Sequence, residues 1–270
     1  ITVYDRGTHI PLLWTHLIPA TLQGKALHNV QNAMFATCVA YAMGVKVENI
    51  RQGLRTFDST YFQAPGRLNV FEELPFKVIL DYGHNPAAVR AMANLVRRLD
   101  VKGKRVCVLA APGDRRDEDI RNIAREAASA FDQYIIRQDD GLRGRASGEV
   151  ADMLRLALLQ HGVREDRIQI ILDEQRSIDA GLAACDPGDL LLIFGDNISR
   201  CWKQIVRFRE TRHPAPPRPT PTSSVGQLAI GAATPPVHDD RAIQPILLTP
   251  APPGSDQVVE DARGVRLARE

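Results

Sequence analysis

Residues 76–98 read FKVILDYGHNPAAVRAMANLVRR, and three signals in that run decide the fold. Phe76–Leu80 is a short apolar stretch, the pattern of a strand covered on both faces. The polar corner Asp81–Asn85 follows, with Asn85 placed to cap a helix and Pro86 in a first turn, where a missing N–H costs nothing. Val89, Met92, Val96 and Leu99 then recur at helical spacing as a stripe for burial. A strand that runs through a polar loop into a helix is the building unit of a parallel sheet.

The unit repeats downstream. RVCVLAA leads through PGDRRDED to IRNIAREAASAF, and QYIIRQ leads through DDGLRGRASGE to VADMLRLALLQHG. IQIILD then leads to QRSIDAGLAAC, and LLLIF leads through GDNISR to CWKQIVRF. Five such units predict an α/β, Rossmann-like parallel sheet with helices on both faces. Ligands of such sheets gather outside the carboxyl ends of the strands, where the loops here carry charged groups; DVKGK and CDPGD at the other edge read as ordinary turns.

Upstream, Ile1–Tyr4 and Ile10–Trp14 read as extended segments. An amphipathic helix is predicted from about His28, with Val30, Ala33, Met34, Thr37, Cys38 and Tyr41 on one face and Gly44 as its stop. VENIRQGLRTF predicts a second, shorter helix. After His213 the periodicity is lost, and eleven of the 18 prolines fall there, so residues 213–270 read as a Pro-rich disordered tail.

Composition narrows the function. With 34 basic residues against 32 acidic ones the net charge is +2, which implies no general polyanion-binding surface and makes nucleic acid a poor partner. Cys38, Cys107, Cys185 and Cys201 form no C-x-x-C pair and read as buried reduced thiols. No apolar run is long enough to span a membrane, and the first residues do not form a signal peptide, so a cytoplasmic protein without membrane contact is expected.

Three stretches carry candidate chemistry. In the polar corner the helix N-terminus favours an anion or a hydrogen-bonding ligand. Asp81 and Asn85 also suit a plain capped connection there, whereas capping does not require His84. In LQGKALHNVQNAMFA, Asn29 and Asn32 sit three apart near a helix start, where an amide can both donate to and accept from an adenine edge. Asn29 suits local capping, and Asn32 is the better ligand candidate. In APGRLN, Gly66 allows a sharp turn and Arg67 offers a donor fork for phosphate or carboxylate, or is a surface arginine at a domain junction.

GKALHNVQNAMFA, PGR and VILDYGHNP, in that order and spacing, resemble the Mur ligase superfamily of ATP-dependent amide ligases, which build cell-wall peptides and related polymers. The longer strings IPATLQGKALHNVQNA, IRQGLRTFDSTYFQAPGRLNVFE and FKVILDYGHNPAAVRAM look most like the C-terminal, Mur-ligase-like module of the cyanophycin synthetase family, over about Ile1–Phe208. The resemblance implies the C-terminal part of a central ATP-binding domain at 1–66, a Mur ligase C-terminal domain at 67–212, and the tail at 213–270. It also implies that Asn32 contacts the adenine of ATP, that Arg67 approaches the nucleotide across the junction, and that Asp81 meets the ribose, with His84 and Asn85 adjoining.

The next two loops would receive the incoming amino acid through Asp114, Arg115, Arg116, Asp117, Asp139, Asp140, Arg143 and Arg145. A free arginine needs carboxylates for its guanidinium and an arginine fork for its carboxylate, and both types stand in these loops; a mutually paired charge cluster is the alternative. The implied reaction activates a carboxylate as an acyl phosphate, which an amine attacks with release of ADP and phosphate. The implied partners are arginine and a poly-aspartate or cyanophycin primer, with homo-oligomerisation through the full-length protein.

One departure matters. No G-x-x-x-x-G-K-[ST] loop occurs in the chain, so the β- and γ-phosphate cradle and the Mg²⁺ ligands are expected upstream, with no metal site here. The chain is therefore expected to be a fragment of a larger synthetase or a truncated gene product, inactive in isolation. A folylpolyglutamate or peptidoglycan-precursor ligase, or a non-catalytic ligand-binding remnant, stays open as an alternative.

Overall fold

A computed structural model describes residues 1–212, 258–261 and 264–267. The first segment opens with an antiparallel hairpin, β1 (Thr2–Asp5) and β2 (Thr8–Pro11), followed by helices α1 (Leu27–Ala42) and α2 (Val47–Thr56). A short strand β3 (Asn69–Phe71) leads to β4 (Lys77–Asp81) and α3 (Pro86–Arg98). The alternation then runs β5 (Arg105–Leu109), α4 (Asp117–Ala127), β6 (Gln133–Ile136), α5 (Glu149–Gln160), β7 (Ile168–Ile170), α6 (Glu174–Ala184), β8 (Leu190–Phe194) and α7 (Ile198–Arg212).

The sheet has six strands in the order β3-β4-β8-β5-β6-β7. The five predicted strands are parallel, and β8 returns to fill the gap between β4 and β5, with Leu80 opposite Ile193 and Val108 opposite Ile193 on its other side. The sixth, β3, is an addition to the predicted sheet: it pairs antiparallel with β4 at the edge. Its three residues NVF begin with a buried asparagine, so no apolar run marks it in the sequence.

Side chains of the central strands alternate between two cores, as a strand period of two requires. Ile79, Cys107 and Leu192 pack with Val89 and Met92 of α3, Ile123 of α4 and Leu154 of α5 on one face. Val78, Val108 and Leu191 pack with Ile178 of α6 and Ile205 of α7 on the other. Burial on both faces accounts for the unbroken apolar runs, and it directs every polar group of these strands to their ends.

In α1 the buried residues are Ala33 and Thr37 alone, while Met34, Phe35 and Val39 are exposed. The expected apolar face is thus largely in solvent, because the side of the helix that meets the rest of the fold is lined by small residues. Asn29 does not cap it: the cap position is Ala26, with no side-chain bond, and Asn29 donates to the Ala20 carbonyl at 2.6 Å. Cys107, Cys185 and Cys201 are buried free thiols, whereas Cys38 is exposed, contrary to expectation, on the open side of α1.

Val258–Asp261 (β9) and Gly264–Leu267 (β10) form a separate antiparallel pair with Asp261 opposite Gly264. These eight residues fall within the stretch that the sequence reads as a Pro-rich disordered tail. The rest of 213–270 lies outside the described residues. Among the described residues no helix is long and apolar enough to cross a membrane.

Candidate functional site

The carboxyl end of β4 delivers Asp81 to the sheet edge almost fully buried. Its Oδ2 accepts from the Leu68 N–H at 2.9 Å and its Oδ1 from the Gly83 N–H at 2.8 Å. Burial raises its pKa above the ordinary carboxylate value, and the two backbone donors and the charges of His28 and Arg67 oppose that rise. Asn85 caps α3 as the sequence predicts, its Oδ1 accepting from the Ala88 N–H at 2.9 Å.

Upstream of β4, the APGRLN turn is built around Asn69. Its fully buried side chain accepts from the Gly66 N–H at 2.6 Å and donates to the carbonyls of Ser59 at 2.9 Å and Ala64 at 2.8 Å. Gly66 and Leu68 both take left-handed backbone angles, with φ of 72° and 52°. That geometry turns Arg67 outward, where its guanidinium stands 5.9 Å from the centroid of the Tyr82 ring. It makes no hydrogen bond or ion pair among the described residues.

A cavity of about 820 Å³ lies between α1, α2, the APGRLN turn and the start of α3. Asn32, Arg67, Asp81 and Asn85 all line it, although they come from three separate stretches of the chain. Asn32 is exposed and bonds to the Asn29 Oδ1 at 3.2 Å. His28, which the sequence reading passed over, lines the same wall; its burial lowers its pKa against the opposing pull of Asp81. His84 does not share this cavity: it turns to the opposite side of the loop, its Nδ1 2.9 Å from the Tyr82 carbonyl.

That opposite side is a polar pocket of about 70 Å³ at the ends of β4, β5, β6 and β8. Its charged lining is His84, Arg115, Arg137, Asp139, Arg143 and Asp196. Arg137, buried to 1% exposure, bonds to the Asp139 Oδ1 at 3.0 Å and to the Phe194 carbonyl at 2.9 Å. Burial raises the pKa of Asp139; Arg137 lowers it and the charge of Asp196 adds to the rise. Arg143 pairs with Asp114 at 3.1 Å. Arg115 is only 4.0 Å from Asp114, with its buried Nε lacking any hydrogen-bond partner, and the Asp196 carboxylate has no hydrogen bond or ion pair among the described residues.

The remaining predicted loop residues stand outside the pocket lining. Arg116 forms a forked pair with Asp119 on the surface. Arg145 ties the two loops together, donating to the Gly113 and Arg115 carbonyls, to Asp117 at 2.7 Å and to Glu149 at 2.8 Å. Asp140 pairs with Arg200 at 2.7 Å. Arg137, Glu174, Asp196 and Arg200 were not singled out by sequence; for Arg137 and Asp196 the available signal was a charged residue just after an apolar strand, whereas Glu174 and Arg200 stand in helices and carry no such mark. Among the described residues no three His, Cys, Asp or Glu side chains are grouped to hold a metal ion.

Residues 66–197 match the Mur ligase, glutamate ligase domain. A cyanophycin synthetase of Crocosphaera subtropica is 40% identical over 70% of this chain and 21% of its own length. One from Nostoc sp. is 38% identical over 75% of this chain and 23% of its own length. The chain thus spans about a fifth of the length of these relatives. Among solved structures, E. coli FolC in complex with ADP is similar with a TM-score of 0.56, at 20% identity over 77% of this chain and 44% of FolC, a likeness of fold.

Proposed function

We propose, on the premise that residues 66–197 belong to the Mur ligase family, that the chain carries the adenosine-facing wall and the amino-acid receptor of an ADP-forming amide ligase of the cyanophycin synthetase kind. Residues 1–66 continue a central ATP-binding domain and 67–212 form the C-terminal domain, in a cytoplasmic protein. The observation that carries the reading is the large cavity on which Asn32, Arg67, Asp81 and Asn85 converge.

Each group suits a part of the nucleotide. The Asn32 amide offers a donor and an acceptor at an exposed position, the pair an adenine edge needs. Each oxygen of Asp81 accepts one backbone N–H and keeps a lone pair for a ribose hydroxyl. Arg67 keeps its donor fork free for phosphate. No G-x-x-x-x-G-K-[ST] loop stands in the sequence, so the isolated chain binds nucleotide without turning it over, and Mg²⁺ acts with residues outside it.

The polar pocket supports an amino acid as second substrate. Its lining leaves one guanidinium, Arg115, and one carboxylate, Asp196, without close partners, the complement of a zwitterionic head group. Asp139 beside Asp196 favours a further positive charge, which accords with arginine as the residue joined to aspartate side-chain carboxylates. In that reaction a carboxylate is activated as its acyl phosphate and the amine displaces phosphate, so the chain's residues hold and orient the two substrates.

Titration calorimetry of ADP into the chain and into Asn32→Ala and Arg67→Ala tests the reading. Both side chains are exposed, and their contacts are the Asn29 bond of Asn32 and the Arg67 approach to the Tyr82 ring, so the fold is retained. Loss of one hydrogen-bonding group predicts a three- to tenfold weakening, about 1 kcal/mol. Unchanged affinity in both variants would sink the assignment.

A further inference from the structure

Glu174 stands at the first position of α6, directly after Asp173, and it is 1% exposed. A helix start needs no such residue here, because Asp173 already caps it by accepting from the Arg176 N–H at 2.8 Å. An acidic side chain in a first turn ordinarily gains what it can from the helix dipole while remaining in water.

The buried carboxylate instead gathers three loops. Its Oε1 accepts from the Asp196 N–H at 2.7 Å and lies 3.4 Å from the Arg137 Nη2. Its Oε2 accepts from the Arg200 Nε at 3.1 Å and from the Arg200 Nη2. Arg137 in turn holds Asp139 and the Phe194 carbonyl, and Arg200 holds Asp140. The loops after β6 and β8, which line the polar pocket, are thus fastened to one another through the residue that begins α6.

Stability is a poor explanation for such a network. Well-packed apolar side chains of similar volume commonly stabilise a fold as much as a buried ion cluster does, whereas a satisfied cluster fixes directions in space. The network's own charges point to a ligand: Arg137 and Arg200 face the carboxylates of Glu174, Asp139 and Asp140, and Asp196 adds a carboxylate with no hydrogen bond or ion pair of its own, within electrostatic reach of the Arg143 that Asp114 already holds. Glu174 uses both guanidiniums and bonds the Asp196 backbone, which leaves the Asp196 side chain free at the pocket.

We infer that Glu174 is a positioning residue of the polar pocket: through the Asp196 N–H and through Arg137 it sets the Asp196 and Asp139 carboxylates side by side to receive a cationic amino acid. The inference depends on the reading of that pocket as the amino-acid receptor. Glu174 touches no substrate itself, and its effect on nucleotide should be nil, because the large cavity takes no residue of this network.

The test is a pair of titrations on the full chain, L-arginine followed by NMR and ADP by calorimetry, for wild type and Glu174→Gln. Glutamine keeps the shape and one acceptor but removes the charge that fixes the two guanidiniums. The expected result is at least a tenfold loss of L-arginine affinity with ADP affinity unchanged within twofold. Unchanged L-arginine affinity in a variant whose melting temperature has dropped would overturn the inference, since Glu174 would then serve the fold alone. If Glu174→Gln does not fold, Arg200→Gln, cut from the partly exposed end of the same network, carries the test with the same expected split and the same overturning result. Wild-type chain that binds ADP but no L-arginine would instead refute the receptor reading itself, and this inference with it.

Discussion

Gly66 is the seam between the APGRLN turn and the polar corner, and an alanine there should be felt in both. Its carbonyl accepts from the Tyr82 N–H at 2.8 Å, and its own N–H is held by Asn69. With φ at 72°, an L residue sits in the left-handed region, at a cost of about 1–2 kcal/mol. A Cβ would also come to 2.7 Å from Cγ1 and 2.9 Å from Cδ1 of Ile198, at the start of α7. Overpacking of that kind costs about 1–3 kcal/mol, toward the lower end here because Ile198 is only half-buried and can give. Gly66→Ala is therefore expected to lose about 2–4 kcal/mol in urea denaturation followed by the fluorescence of Trp202, which stacks on Tyr61 at 4.7 Å beside the turn. The two contributions separate in an Ile198→Ala background, where only the backbone cost remains, giving a coupling of about 1–2 kcal/mol. A loss below about 0.5 kcal/mol, or an equal loss in both backgrounds, would refute the reasoning.

Asn69→Ala strands three backbone groups at once and should cost about 3 kcal/mol by the same denaturation, since each unpaired buried polar group is worth about 1–3 and two of these can be partly rehydrated. Burial holds the pKa of His28 below its ordinary value, so the folded chain binds fewer protons than the unfolded one, and stability should fall as pH drops from about 6.5 through the folded value. His28→Gln should flatten that fall below about pH 6.5, while the raised pKa of Asp81 acts in the other sense, its folded form taking up the proton first as pH drops toward the unfolded value; an identical pH slope in variant and wild type would remove His28 as the cause.

The sheet was legible because its central strands are buried on both faces, so Val78–Leu80 and Leu190–Phe194 could not be anything but apolar. The edge strand β3 was not, because its first residue is an asparagine used to hold a turn and its pairing is with β4 alone. Helix α1 was legible as a helix but not in its orientation: the cavity side is Ala33, Ala36, Thr37 and Ala40, small residues that carry little hydrophobic signal beside Met34 and Phe35. The charge loops were the least legible. Composition announces arginines and carboxylates there, but Arg145 spends its donors on Asp117 and Glu149 while Arg115 leaves its Nε unbonded, a division set by backbone geometry across loops about thirty residues apart.

The two cavities are not independent, because one five-residue loop forms a wall of each. Asp81 and Asn85 face the large cavity, and Tyr82, Gly83 and His84 face the polar pocket. Asp81 also fixes the backbone on every side of itself. Its carboxylate holds the N–H groups of Leu68, beside Arg67, and of Gly83, beside His84, and its carbonyl accepts from the Gly195 N–H at 3.0 Å, beside Asp196. Removing that side chain would release Arg67 at one cavity and the corner of the other together, on top of any lost ligand contact. A defect in Asp81→Ala consequently cannot be assigned to either site, whereas Asn32, with one exposed bond, and Glu174, confined to the far network, each report on one cavity alone. The two cavities therefore have to be probed separately, through those two residues.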